Sequence, residues 1–176
     1  MRFALSLTSR VLVELRATGL LRAVGHDPTL VARPEPAEID VGSGPVDASV
    51  DVRFLAERIE IPAELSASDR ARMRDNLLSR DVLDASRHAH VELRARYRGT
   101  TEQGRLEGSL VVRGVARPIT MDVRATADGS SLRVTGAWEG RLTDLGIKPF
   151  KALMGALRLE DWIRLRLDAQ LAPATP

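Results

Sequence analysis

The chain is 176 residues long and carries 26 Lys and Arg against 24 Asp and Glu, a net charge of +2 at pH 7. It has no cysteine, which excludes a disulfide framework, a thiol nucleophile and a thiolate metal site. The sequence pI of about 9.6 comes from arginine, since Lys148 and Lys151 are the only lysines; with no basic run and only six aromatic side chains, the charge pattern argues against nucleic acid as a partner.

In chain order, strand-like runs fall at about residues 2–7, 10–17, 28–33, 37–41, 45–54 and 57–61. Further runs fall at 89–98, 104–113, 117–126, 131–142 and 159–171. Turn residues separate them: Gly42 to Pro45, Gly99, Gly114 with Pro118, Asp128-Gly129 and Gly140. The stretch Val112 to Pro118 predicts a tight hairpin, and Asp128-Gly129 predicts a second, because Asp-Gly supplies the positive φ angles such turns need. The first ten residues alternate Phe3, Leu5 and Leu7 with small or polar residues, so they predict a strand and not an export signal. No run reaches membrane-spanning length, and the expectation from the residues alone is an unexported, cytoplasmic protein with no integral membrane span.

One segment breaks the period of two. Ser66 with Asp69 three residues later resembles a capping box, and good helix formers then extend to Arg80. Ala71, Met73, Leu77 and Leu78 are the expected buried stripe. A second, short helix is expected from Pro149 through Phe150, Ala152, Leu153 and Met154 to Gly155, since proline suits the first helical position. No internal repeat or linker divides the chain. The expectation is one domain over residues 1–171, with 172–176 a disordered tail.

The alternation carries most of the information. Val46, Ala48, Val50, Val52 and Phe54 are apolar, with Asp47, Ser49, Asp51 and Arg53 between them. The runs beginning at Val91, Leu106, Ile119, Leu132 and Ile163 repeat the pattern. Side chains on a strand point to opposite faces, so each segment has one apolar and one solvated face. Such strands hide the apolar faces by stacking two sheets or by rolling one sheet into a barrel. Val13, Leu15, Val52, Phe54 and Leu93 are expected on the inner face. So are Leu110, Val112, Met121, Trp138 and Leu165. They are mostly mid-sized aliphatics, with Gly108 and Gly136 at the same parity. The residues leave open whether they enclose a ligand or pack as an ordinary core.

Four stretches together resemble the YceI-like family, the lipocalin-like polyisoprenoid-binding domains. They are Leu21 to Asp27 (Leu-Arg-Ala-Val-Gly-His-Asp) and Ser68 to Val91, with Val82-Leu83-Asp84 in its centre. The others are Leu106 to Thr120, containing Gly114-Val115-Ala116-Arg117-Pro118, and Leu142 to Phe150. Their order and spacing cover nearly the whole chain. Ala89 stands where the family commonly has proline, and the Gly25-His26-Asp27 form marks a subgroup. The resemblance implies an all-β fold, an eight-stranded antiparallel barrel holding a long apolar chain. It also makes a periplasmic location an expectation to set beside the cytoplasmic one.

On that basis the expected function is binding of a polyisoprenoid or fatty-acyl lipid, as a carrier or sequestering protein that is not an enzyme. No cofactor and no metal are expected apart from that ligand. Edge and barrel-end surfaces make a homodimer plausible. The entrance is expected where the strand pattern stops, at Gly25–Asp27 and Leu145–Leu157. Phe150 and Leu153 would touch the chain there, and His26 and Lys148 would lie near its head group. One alternative is a lipid-modifying enzyme using His26 as base; Asp27 follows it, but Pro28 fixes the backbone into a turn and no third partner is evident. The other is a structural domain without ligand. His88 and His90 have the spacing to begin a zinc site, but further ligands would be required.

Overall fold

The computed structural model describes residues 1–18, 27–41, 46–149, 151–152 and 157–174. The strands are β1 (Arg2–Leu5), β2 (Arg10–Thr18), β3 (Thr29–Ala32), β4 (Glu38–Asp40) and β5 (Val46–Leu55). After the helix α1 (Ala67–Leu78) come β6 (His90–Gly99), β7 (Gln103–Val112), β8 (Val115–Asp128) and β9 (Ser131–Gly140). The last two are β10 (Lys151–Ala152) and β11 (Leu157–Pro173). Eight strands pair in the order β3-β2-β11-β9-β8-β7-β6-β5, every pair antiparallel, and curl into a half-barrel. β1 joins β11 to β4 off this path.

The alternating runs form these strands as expected, and their apolar faces turn inward. Val52, Phe54, Leu106, Leu110, Val112, Ile119, Met121, Val123 and Leu165 are all buried. The β7–β8 hairpin is present: Arg113 and Gly114 both have positive φ, 51° and 73°, in a two-residue connection between the paired Val112 and Val115. The β8–β9 turn falls one residue later than predicted, since Asp128 pairs with Ser131 and Gly129 takes the positive φ of 62°; Gly42 to Pro45 lies outside the described residues. The curl brings the β3 and β5 edges together. There Val31 and Glu60 exchange two backbone hydrogen bonds, and the Glu35 N–H donates to the Arg53 carbonyl at 2.8 Å. No helix among the described residues is long and apolar enough to cross a membrane.

Four expectations need correction. Residues 57–61 are not a strand. A 3-10 turn occupies Ala56–Arg58, because Ala56 is completely buried and its N–H is taken by the Ala89 carbonyl; only Glu60 keeps a bridge. The predicted second helix is absent at Lys151 and Ala152, which pair with Arg158 and Leu157 as β10. A helix of one or two turns is marginal by itself, whereas the start of β11 offers ready backbone partners. The rest of that predicted helix, including Phe150 and Leu153, lies outside the described residues. Ala71 is exposed, so the covered side of α1 is narrower than expected. Ala172 and Pro173 are not tail but part of β11, paired with Ala4 and Phe3. Leu171 holds that end of the strand down by packing in a buried group with Phe3 and Ile39.

The outer face carries ion pairs across strands, including Arg96 with Asp47, Arg105 with Asp122 and Arg133 with Asp168. The hydrogen bond from Arg133 is the main cause holding the Asp168 carboxyl below its ordinary value. Its contribution to stability is therefore present above the ordinary carboxylate range and is lost as pH falls through the lowered value. Exposed pairs of this kind contribute about 1 kcal/mol or less.

Candidate ligand-binding cavity

The inner faces do not meet. They leave a cavity of about 550 Å³, within the size range of small-molecule sites. β2 lines it with Val11, Val13, Leu15 and Ala17, and β3 with Leu30 and Ala32. β6, β7 and β8 supply Val91, Leu93, Leu106, Leu110, Val112, Ile119 and Met121. β11 supplies Leu159, Ile163, Leu165 and Leu167. The polar side chains in the lining are Glu64, Ser66, Asp69, Arg72, Asn76 and Lys148. They belong to α1, its approach and the segment after Leu142, so they mark one end of the barrel as the mouth.

α1 spans that end. The Ser66 hydroxyl caps it by accepting the Asp69 N–H at 3.1 Å, as the sequence predicts. None of its residues is buried. Met73 and Leu77 face the cavity half-buried. Met73, Leu77 and Leu78 pack half-buried against the main core, and the helix's own propensity is marginal at this length. Arg74 adds a polar anchor, donating to the Glu57 carbonyl at 2.9 Å and the Ile59 carbonyl at 3.0 Å. An Arg74→Ala variant is expected to loosen α1, with amide exchange several-fold faster along the helix and a small loss of stability. Hydrogen–deuterium exchange and thermal unfolding measure the two.

A second segment closes beside the helix. Thr143–Leu145 makes a 3-10 turn that ends at Gly146, whose φ of 74° suits glycine. The turn buries Leu142, Leu145 and Ile147 against the barrel and leaves Lys148 exposed at the rim. Two arginines of the β7–β8 hairpin converge on it. Arg113 donates to the Gly146 and Arg80 carbonyls. Arg117 occupies the inward parity of β8, and its guanidinium nitrogen lies 2.7 Å from where a Cβ on Gly146 would sit. Its Nε is buried without a hydrogen-bond partner among the described residues.

Of the residues expected at the ligand, Val13, Leu15, Phe54, Leu93, Leu110, Val112, Met121, Leu165 and Lys148 line this cavity. Val52 lines instead a smaller cavity of about 140 Å³ nearer the opposite end of the barrel. Trp138 lines neither; its ring folds over Gly140, 2.5 Å from where a Cβ there would sit. Gly136 does not open space either, since Val123 and Met121 fill the place of its side chain. His26, Phe150 and Leu153 lie outside the described residues. Asp27 accepts the Ala17 N–H at 3.0 Å, a turn contact. His88 and His90 have different neighbours: one ring packs at Gly114, the other lies 3.4 Å from a Glu35 oxygen. Among the described residues no three His, Asp or Glu are grouped to hold a metal ion.

Sequence reasoning missed Leu30, Ala32, Leu83 and Leu142 as cavity residues, while Leu145 and Ile147 fall in the segment expected at the entrance. The runs of the first four are too short to show a period. Val11 and Ala17 were legible, because they share the parity of Val13 and Leu15.

Two solved structures resemble this architecture. BcnA of Burkholderia cenocepacia matches with a TM-score of 0.69 over 97% of this chain and 99% of its own, at 10% identity. The YCEI protein of Campylobacter jejuni matches with a TM-score of 0.56 over 75% of this chain and 77% of its own, at 14% identity. At these identities the likeness is one of fold. No curated protein sequence matches the chain. The family model described as a YceI-like domain matches residues 31–171, the span that runs from β3 to Leu171 and supplies most of the cavity wall. The chain belongs to the YceI-like family.

Proposed function

We propose that this protein binds a long-chain apolar amphiphile, a polyisoprenoid or a fatty-acyl lipid, inside the half-barrel and acts as its carrier or sequestering protein without catalysing a reaction. The observation that carries the reading is the 550 Å³ cavity walled by aliphatic side chains, with charged groups confined to the mouth. Each methylene moved from water to such a wall is worth about 0.8 kcal/mol, so ten contribute about 8 kcal/mol gross. Association and ordering costs then reduce the net. A wall of this kind supplies no acid, base or nucleophile along the buried part of the chain.

The mouth suits the polar end of the same ligand. Lys148 is the lysine at the rim, with Arg72 on α1 and the carboxylates Glu64 and Asp69 beside them. A Lys148→Ala variant is expected to bind hexadecanoic acid two- to fivefold more weakly at low salt, the size of an exposed charge pair. Binding of hexadecanol should not change. The difference should close in high salt, because exposed charges are screened. Isothermal titration with both ligands reads the effect.

The central experiment is organic extraction of the purified protein followed by mass spectrometry. A near-stoichiometric species with a long hydrocarbon chain supports the proposal. An extract with no such species, from a protein that also fails to take up fatty acid or prenol in a displacement assay, sinks it in favour of a structural domain.

A further inference from the structure

The barrel holds two apolar compartments in line. The larger lies under α1; the smaller, of about 140 Å³, lies toward β1 and β4. Five side chains line both: Val11, Phe54, Leu93, Leu106 and Leu167. Val11 and Leu167 are direct cross-strand partners, and Leu106 pairs with Met121 on one side and Tyr97 on the other. These residues form a waist across the middle of the barrel. Beyond it the wall is again apolar, with Ala48, Ala125, Val134 and Ala169 among its members. Tyr97 is there too, its hydroxyl donating to the Thr100 carbonyl; burial pushes the phenol pKa up and keeps it a neutral donor.

We propose that the waist and the smaller compartment set the chain length this protein prefers. A short chain fits within the space under α1, and a longer, extended one gains further affinity only by threading the waist. The inference rests on the lipid-binding reading and adds to it a specificity-determining region. The compartment is large enough to matter. An apolar cavity of about 150 Å³ stays dry and accepts a benzene ring, so this one has room for the last few carbons of a chain. Each methylene it accepts should tighten binding about fourfold, the equivalent of about 0.8 kcal/mol. The small side chains Ala125 and Ala169 are what keep it open, since both line the smaller compartment and not the larger.

The test fills the compartment from those positions. Wild type, Ala169→Phe and Ala125→Leu are titrated with decanoic and hexadecanoic acid by displacement of a fluorescent fatty acid, and thermal unfolding is followed for each. Wild type should prefer hexadecanoic acid. Ala169→Phe should bind it at least tenfold more weakly, with decanoic acid within about twofold of wild type. Ala125→Leu adds less volume and keeps the test valid if the phenylalanine variant does not fold; it should show the same selective loss, smaller in size. Equal losses for both acids, or no loss for either, in a folded variant overturn the chain-length proposal while leaving lipid binding intact. A wild type that binds neither acid nor a prenol overturns the reading beneath it as well.

Discussion

The variant Met121→Asp is expected to lose ligand uptake completely and most of its stability. Met121 is buried at mid-strand in β8, opposite Leu106. It lines the large cavity, and its sulfur lies where a side chain at position 136 would otherwise be. A carboxyl placed there has no cation beside it among the described residues of the inner wall; Arg117, at the same parity, is four residues away near the start of the strand. An unpaired buried charge costs several kcal/mol, a large share of the 5–15 kcal/mol that holds a domain together. The new group would relieve part of that cost by taking a proton. Stability and binding should therefore recover partly as pH falls and worsen as it rises. Met121→Leu, which keeps volume and polarity, should change stability by less than about 1.5 kcal/mol. Urea unfolding and fatty-acid displacement at two pH values read both effects. An aspartate variant as stable as the leucine one would mean that this face of β8 is solvated.

Phe54→Ala should produce the second-largest change, and one that separates stability from binding. The ring is buried near the end of β5 and lies in the wall between the two compartments. Truncating a buried phenylalanine costs about 3–5 kcal/mol. For a chain of this size that lowers the unfolding midpoint by roughly 6–20 °C. Binding should not fall in parallel. Removing the ring joins the compartments, so hexadecanoic acid should still bind and its advantage over decanoic acid should widen. A midpoint shift under about 2 °C, read by circular dichroism, would show that the ring packs against nothing.

Much of this molecule is a direct consequence of a period of two. On β5 through β9 and on β11, alternate residues take opposite faces whatever the neighbours do, so Val52, Leu110, Met121 and Leu165 declare themselves inner residues from spacing alone. The turns are equally local: Arg113-Gly114 bends where a positive φ is available, and Ser66 caps α1 by reaching three residues along the chain. The YceI-like motifs, being strings of such local choices, were legible for the same reason.

What spacing does not contain is what meets what. Whether inner faces close on one another or stand apart depends on the curl of the sheet and the volumes of side chains far apart in sequence, so the cavity and its waist exist only in the tertiary structure. Val11 of β2 and Leu167 of β11 become neighbours through strand order, which no local pattern encodes. The same holds for short segments. Residues 57–61 alternate like a strand but turn, because burying Ala56 under the Ala89 carbonyl outweighs a local preference worth a few tenths of a kcal/mol. Lys151 and Ala152 pair with β11, and Ala172 and Pro173 with β1, since an unsatisfied backbone at a sheet edge recruits whatever chain lies beside it. Local rules thus chose the strands and their faces. Long-range closure decided how much space they enclose, which helix roofs it and which five side chains divide it.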